Sequence, residues 1–152
     1  ITDGTSNTLM LAEVKGWTPY RRDGVHADAA LPTAPGDVCG YSQSAFKNNS
    51  GHTEWVDGRV HQSGFTAAFP PNTEVTQCES GYDIDWVSTR EGVSDTDATY
   101  AVVTARSYHA GNLVNVALMD GSVRAVTSEI ELPAWRAAAT RAGEETVGLG
   151  TL

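Results

Sequence analysis

The clearest fold signal is an alternating run of apolar and polar residues divided by Asp-Gly: Val114-Asn115-Val116-Ala117-Leu118-Met119-Asp120-Gly121-Ser122-Val123-Arg124-Ala125-Val126. Period-two alternation is typical of a half-buried strand, and Asp-Gly between two such runs predicts a hairpin with a two-residue type I′ turn. In that register Leu118 faces Val123 across the hairpin. The resulting apolar face is expected to contain Val114, Val116, Leu118, Val123 and Ala125.

Weaker signals lie on both sides of this hairpin. Residues 100–106 form a predicted strand, and residues 8–15 fit either a buried strand or a short helix followed by a strand. Asp57-Gly58 predicts a second hairpin within residues 53–61. Residues 65–69 are expected to extend the sheet, whereas residues 16–51 and 79–98 read as long irregular segments. The sequence ends in a predicted helix that starts at Pro133, stops at Gly143 and carries one apolar stripe. That stripe consists of Trp135, Ala138, Ala139 and Ala142.

These elements predict an α+β, mostly β fold: an antiparallel sheet with hairpins and long loops, followed by one C-terminal helix. A length of 152 residues, of which 40% are hydrophobic, fits a single domain with its own core. We expect that domain to span residues 1–143, with a flexible, Gly-rich tail over residues 144–152.

Net charge excludes some partners. The formal charge is −9, and so acidic a surface repels nucleic acid phosphates and anionic lipid headgroups. The sequence contains no apolar run long enough to span a membrane. It begins at Ile1 without an initiator Met or a signal peptide, so we expect a processed chain or a fragment.

The two cysteines, Cys39 and Cys78, show no metal-binding spacing. Two unpaired core cysteines are one interpretation. A disulfide is the better one if the protein is exported, because it would close a loop of about 40 residues and stabilise the fold by roughly 4 kcal/mol.

Residues for catalysis or metal binding form no recognisable pattern. The four histidines, His26, His52, His61 and His109, lack metal-ligand spacing. Neither acidic pair, Asp83-x-Asp85 nor Asp95-x-Asp97, completes a calcium loop, although a structural calcium stays open. With no serine-nucleophile motif either, we predict no catalytic residues, no catalytic metal and no cofactor.

Aromatic side chains and one N-x-S sequon leave open that the protein binds sugars or is glycosylated. Aromatic rings stack on sugar faces, although core packing is their usual role. The candidates for such a platform are Trp17, Tyr20, Trp55, Trp86 and Tyr82. Asn48-Asn49-Ser50 is an N-x-S sequon, so Asn48 is a candidate glycosylation site.

Several strings taken together resemble the domain-of-unknown-function-1559 family, which is typical of planctomycetes and their relatives. They lie at residues 1–8 (ITDGTSNT), 52–58 (HTEWVDG), 64–66, 69–73, 107–109, 114–116, 120–124, 135–136 and 140–143. The family signature is a His followed after nine residues by Asp-Gly. Here ten residues separate His109 from Asp120-Gly121, so we expect one inserted residue in the loop before the hairpin.

Members of this family are similar to type IV pilins and secretion pseudopilins, which have a prepilin-type leader, an N-terminal apolar helix and a β-rich head. The resemblance implies a pilin-head-like fold at the cell surface or outside the cell. It also implies self-association into a filament or pseudopilus rather than catalysis. Contact with a membrane is expected only through an N-terminal helix that is missing from this chain.

Two other functions stay open on the sequence. The first is an extracellular glycan-binding module that uses the aromatic residues named above. The second, less favoured, is a hydrolase in which histidines and acids converge. Self-association is the expected partnership, glycans are candidate ligands, and nucleic acid is not an expected partner.

Overall fold

The structure, a computed structural model, describes residues 1–23, 30–41, 45–88, 96 and 98–144. Within these ranges the chain forms seven short strands, one 3₁₀ helix and two α-helices. The strands are β1 Leu9–Ala12, β2 Tyr20–Arg22, β3 Ala45–Lys47, β4 Asp85–Val87, β5 Ala101–Val102, β6 Leu113–Leu118 and β7 Val123–Thr127. The helices are the 3₁₀ helix Pro35–Gly40, α1 Val60–Ser63 and α2 Leu132–Ala138. The α+β, mostly β fold with a C-terminal helix is confirmed.

The first sheet holds β1, β6 and β7 in the order β1-β6-β7, with both pairings antiparallel. Alternate residues of β6 are buried, as its sequence predicts. The buried face packs against α2, whose Trp135 has no exposed surface. This core contains Leu9, Ala105, Val114, Val116, Leu118, Val126, Ile130, Trp135 and Ala138.

The second sheet has the strand order β3-β2-β4-β5 and is mixed. β2 pairs antiparallel with β3 but parallel with β4, and this one parallel strand pairing departs from the predicted antiparallel sheet. β2 and β3 lie inside a segment predicted to be irregular, and β4 inside another. Strands of two or three residues are too short to show a period-two pattern, and their partners lie far away in sequence.

A second core, centred on Trp86 and Ile84, lies against this sheet. The disulfide Cys39–Cys78 lies beside it and joins the 3₁₀ helix to the segment that leads into β4. The predicted pairing of the two cysteines is therefore confirmed. The disulfide joins parts of the chain that have little regular secondary structure of their own.

The β6–β7 hairpin is confirmed, but its predicted turn and register are wrong. Gly121 donates its N–H to the Leu118 carbonyl, and Leu118 donates its N–H to the Ser122 carbonyl, both at 2.9 Å. Gly121 has a φ of 84°, whereas Asp120 is not left-handed. A type I′ turn requires positive φ at both central residues, so this is a three-residue loop with Gly121 in the left-handed position.

The extra loop residue shifts the pairing by one position. Ala117 rather than Leu118 faces Val123, and Asn115 rather than Val116 faces Ala125. Side chains alternate between the two faces of a strand, so this shift turns Val123 and Ala125 to the solvent side of the sheet. Val126 is buried in the core instead.

The second predicted hairpin, over residues 53–61, does not form. The buried Gln62 side chain accepts the N–H groups of Thr53 and Glu54, both at 3.1 Å. Asp57 accepts the N–H of Arg59 at 3.1 Å. Because these backbone donors are satisfied by side chains, the segment becomes a loop that leads into α1.

Three other predicted elements are shorter than expected. Residues 100–106 contain only β5, and residues 65–69 contribute a single bridge between Thr66 and Thr104. Helix α2 ends at Ala138 rather than at Gly143, and of the predicted stripe Ala139 and Ala142 are exposed. The division into residues 1–143 and a tail stays a prediction, and residues 145–152 lie outside the described residues.

Candidate functional site

The signature residue His109 lies on the surface in a cluster with Glu13 and Asn115. Its Nε2 is 3.1 Å from Glu13 Oε1. Asn115 donates to the same carboxylate twice, from its backbone N at 2.8 Å and from Nδ2 at 3.0 Å. The Asn115 backbone N–H is the main cause that holds the pKa of Glu13 below its ordinary value, against a smaller opposing effect of burial. Glu13 is therefore a carboxylate that joins the end of β1 to β6.

The other signature residues, Asp120 and Gly121, form the hairpin turn at the opposite end of β6. The Asp120 carboxylate accepts both the hydroxyl of Ser122, at 2.7 Å, and its backbone N–H, at 2.9 Å. These two bonds, the hydroxyl first, lower the pKa of Asp120. His109 and Asp120 thus act in separate hydrogen-bond clusters at the two ends of one strand. The expected inserted residue falls in the loop between His109 and β6, where Gly111 and Asn112 have positive φ.

The N-terminal string ITDGTSNT folds over that same turn. Asp120 donates its N–H to the Thr5 carbonyl at 3.1 Å, and Met119 donates its N–H to the Thr8 carbonyl at 2.9 Å. Asp3 accepts the N–H of Gly143 at 2.9 Å and so ties the two ends of the described chain together. This bond is the largest of the causes that lower the pKa of Asp3. The strings at residues 1–8 and 120–124, which both resemble the family, therefore contact each other and have a structural role.

Among the described residues, the most strongly buried charges are Asp85 and Arg106. Their side chains are 2% and 1% exposed and form an ion pair with each other. Arg106 Nη2 also donates to Asp83 Oδ1 at 3.0 Å. His52 Nε2 lies 3.6 Å from Asp85 Oδ2. Burial raises the pKa of Asp85, but Arg106 and His52 outweigh that effect, so the net pKa is lowered.

This buried cluster was not predicted from the sequence. The sequence places Asp83-x-Asp85 in an irregular segment without a partner for either acid, whereas both carboxylates bind the guanidinium of Arg106. The one available signal is the position of Arg106 directly after the mostly apolar residues 101–105, where a charge must be paired to be buried. The second acidic pair, Asp95 and Asp97, lies outside the described residues.

The three described histidines have different surroundings. The ring of His61 is buried and stacks on Tyr20 with centroids 4.5 Å apart. His52 faces Asp85 in the interior, and His109 lies at the surface. Among the described residues, no group of three or more His, Cys, Asp or Glu side chains is arranged to hold a metal ion. His26 falls in a range that is not described.

The predicted aromatic platform separates into buried and exposed residues. Tyr20 and Trp86 are buried in the cores. Trp17 and Trp55 are 47% and 84% exposed, and Tyr82 is half-buried. Asn48 is exposed, as a glycosylation acceptor must be, and its carbonyl accepts the indole N–H of Trp17 at 3.2 Å. Its modification stays a prediction.

The fold and these clusters define a disulfide-linked, mostly β domain whose signature residues hold loops and strand ends together. In the described ranges, no helix has the length and apolar character needed to cross a membrane. The chain matches the family described as "Protein of unknown function (DUF1559)" over residues 1–133 and belongs to that family. No curated protein and no solved structure matches the chain.

Proposed function

We propose that this chain is a non-catalytic structural subunit, the head domain of an exported, pilin-like protein. In this proposal it associates with copies of itself in a surface filament or a secretion-type pseudopilus. The observation that carries the proposal is an apolar row on the solvent side of the first sheet.

That outer row consists of Leu11, Ala117 and Val123, which face one another across β1, β6 and β7. Leu11 is 60% exposed and Val123 is 69% exposed. Met10, which precedes Leu11 in β1, is 45% exposed, and Met119, which follows β6, is 40% exposed. Contiguous apolar surface on a folded domain is typical of a contact site, because burying it is the main favourable term in association.

The outer strands of this sheet strengthen the case for a second copy as the partner. β1 and β7 are the two outer strands in the order β1-β6-β7. Outer strands beside an apolar face are a common place for association between protein chains. The short β1 and β7 strands, of four and five residues, suit a contact made mainly through side chains.

The non-catalytic part of the proposal draws on two carboxylates, the signature residue Asp120 and Glu13, which contacts the signature residue His109. Glu13 accepts the backbone N–H of Asn115, and Asp120 accepts that of Ser122, so both carboxylates help to fix the backbone. The proposed location outside the cell draws on the disulfide, because such bonds persist in oxidising compartments.

Sedimentation of the purified chain over a range of concentrations, together with electron microscopy of the native material, tests the proposal. We expect concentration-dependent assembly that is lost in the double variant Leu11→Lys/Val123→Lys. Val56→Lys is the matched control, because Val56 is 82% exposed in the loop before α1 and outside the outer row. A strictly monomeric chain with no filament in the native material would refute the proposal.

A further inference from the structure

Two adjoining cavities form a groove beside the end of β1 on the surface that carries Tyr108. Their volumes are about 320 Å³ and about 240 Å³, and both are lined by Lys15, Arg106 and Tyr108. The larger cavity is also lined by Glu13 and His109. The smaller cavity is also lined by Trp17, Tyr82 and Asp83.

Three aromatic residues, Trp17, Tyr82 and Tyr108, line this groove. Trp17 and Tyr82 meet edge to face, with ring centroids 6.5 Å apart and an interplanar angle of 74°. Tyr82 is backed by Phe46, 5.3 Å away between centroids. Tyr108 is 83% exposed, and Lys15 Nζ lies 4.9 Å from its ring centroid.

Trp17 is held in place although much of it is exposed. Its indole N–H donates to the Asn48 carbonyl at 3.2 Å, while 47% of the residue faces solvent. A fixed aromatic ring loses little conformational entropy when a ligand covers it, which makes it an effective binding residue.

The charges that line the groove balance one another. The side chain of Arg106 is 1% exposed, and its Nε lies 2.8 Å from Asp83 Oδ2, which is close enough for an ion pair. Lys15 and Glu13 add one charge of each sign. On a chain with a net charge of −9, this near-neutral groove is suited to an uncharged ligand rather than to a phosphate or a polyanion.

We propose that this groove binds an uncharged oligosaccharide. A pyranose with equatorial hydroxyls presents weakly positive C–H groups to the negative faces of Trp17 and Tyr108, and its hydroxyls bond to groups such as Asp83, Glu13 and Lys15. Rings along an elongated groove suit a ligand of several sugar units. The proposal does not depend on self-association, because the outer row and the groove have no residue in common.

The test is an array of neutral and acidic glycans, followed by NMR titration with cellotetraose, chitotetraose and the best neutral ligand from the array. We expect Trp17→Ala and Tyr108→Ala each to weaken binding by about tenfold or more. Trp55→Ala is the matched control, since Trp55 is 84% exposed and lies outside the groove, and it should change affinity less than about twofold. Trp17→Tyr keeps an aromatic ring and should retain most of the affinity.

Several outcomes would overturn the proposal. The first is an array without neutral ligands, combined with no NMR shifts at about 10 mM cellotetraose or chitotetraose, a concentration that reveals millimolar binding. The second is an equal loss of affinity in Trp17→Ala and Trp55→Ala. The third is loss of self-association rather than of glycan binding in Trp17→Ala, which would make the groove an interface between copies.

Glycan binding measured on the Leu11→Lys/Val123→Lys variant separates this inference from the proposed function. We expect that variant to bind the same glycans with unchanged affinity. Failure of assembly would then leave the groove intact, and failure of glycan binding would leave the outer row intact.

Discussion

At the scale of single residues, the pairing of buried charges controls stability. Arg106 is almost completely buried, and its pKa is raised by Asp85 and Asp83 against the opposing effect of burial. The guanidinium therefore stays charged in the interior and needs both carboxylates as partners.

Replacement of Asp85 by Asn is expected to lower the free energy of unfolding by about 3–5 kcal/mol, because it leaves a buried guanidinium with one charged partner. Urea unfolding at pH 7 measures the loss. Asp83→Asn is the graded control, since Asp83 is 25% exposed and water can replace part of its interaction with Arg106. Equal losses in the two variants would contradict the special role of Asp85.

Stability should also fall in acid. The pKa values of Asp3, Glu13 and Asp85 are lowered in the folded state. Groups of this kind stabilise the fold fully above their unfolded pKa of about 4, and that stabilisation is lost as pH falls through the folded-state values. The urea midpoint of unfolding should be similar at pH 7 and pH 5 and lower at pH 3. A midpoint at pH 3 equal to that at pH 7 would contradict this prediction.

At the scale of elements, two Asp-Gly pairs have different outcomes. Gly121 has a φ of 84°, and its N–H closes the hairpin turn. The φ of Gly58 is not left-handed, and the side chain of the preceding residue, Asp57, accepts the N–H of Arg59 within a loop. The same dipeptide therefore forms a hairpin turn only where two alternating apolar strands flank it.

Gly121→Ala is expected to cost about 1 kcal/mol or more, because alanine is strained at this left-handed φ. Gly58→Ala is the matched control, since no atom beyond its two chain neighbours lies within 4 Å of its added Cβ and its φ is not left-handed. Thermal or urea unfolding of both variants measures the difference. Equal stability of the two variants would show that the turn tolerates a side chain at position 121.

At the scale of the whole molecule, the disulfide restrains a chain with little regular structure. Cys39 and Cys78 are separated by 39 positions in sequence, and the enclosed segment includes β3 and α1. Restricting this long loop lowers the conformational entropy of the unfolded state.

The double variant Cys39→Ser/Cys78→Ser should therefore lose about 4 kcal/mol of unfolding free energy in the chain-entropy picture. Urea unfolding with and without reductant measures this loss. Reductant should destabilise the wild-type chain and leave the double variant unchanged. A mass increase of about two hydrogens on reduction establishes the bond chemically, whereas free thiols in the native protein would contradict it.

The sequence by itself determined the fold class, the β6–β7 hairpin and the family, and it limited any disulfide to one pair, Cys39 and Cys78. Each of these depends on a local signal: the alternation of residues 113–118, the Asp120-Gly121 pair, the presence of only two cysteines, or short strings such as residues 1–8. Local signals of this kind are set by backbone preferences and by side-chain periodicity.

Only the tertiary structure decided the hairpin register, the mixed second sheet and the residues that form the groove. Asp-Gly fits both a two-residue and a three-residue loop, and the bonds from Asp120 to Thr5 and from Met119 to Thr8 accompany the longer one. The pairing of Asp85 with Arg106 and the meeting of Trp17 with Tyr82 join residues distant in sequence. Such contacts depend on how short strands pack, and that packing leaves no local pattern in the chain.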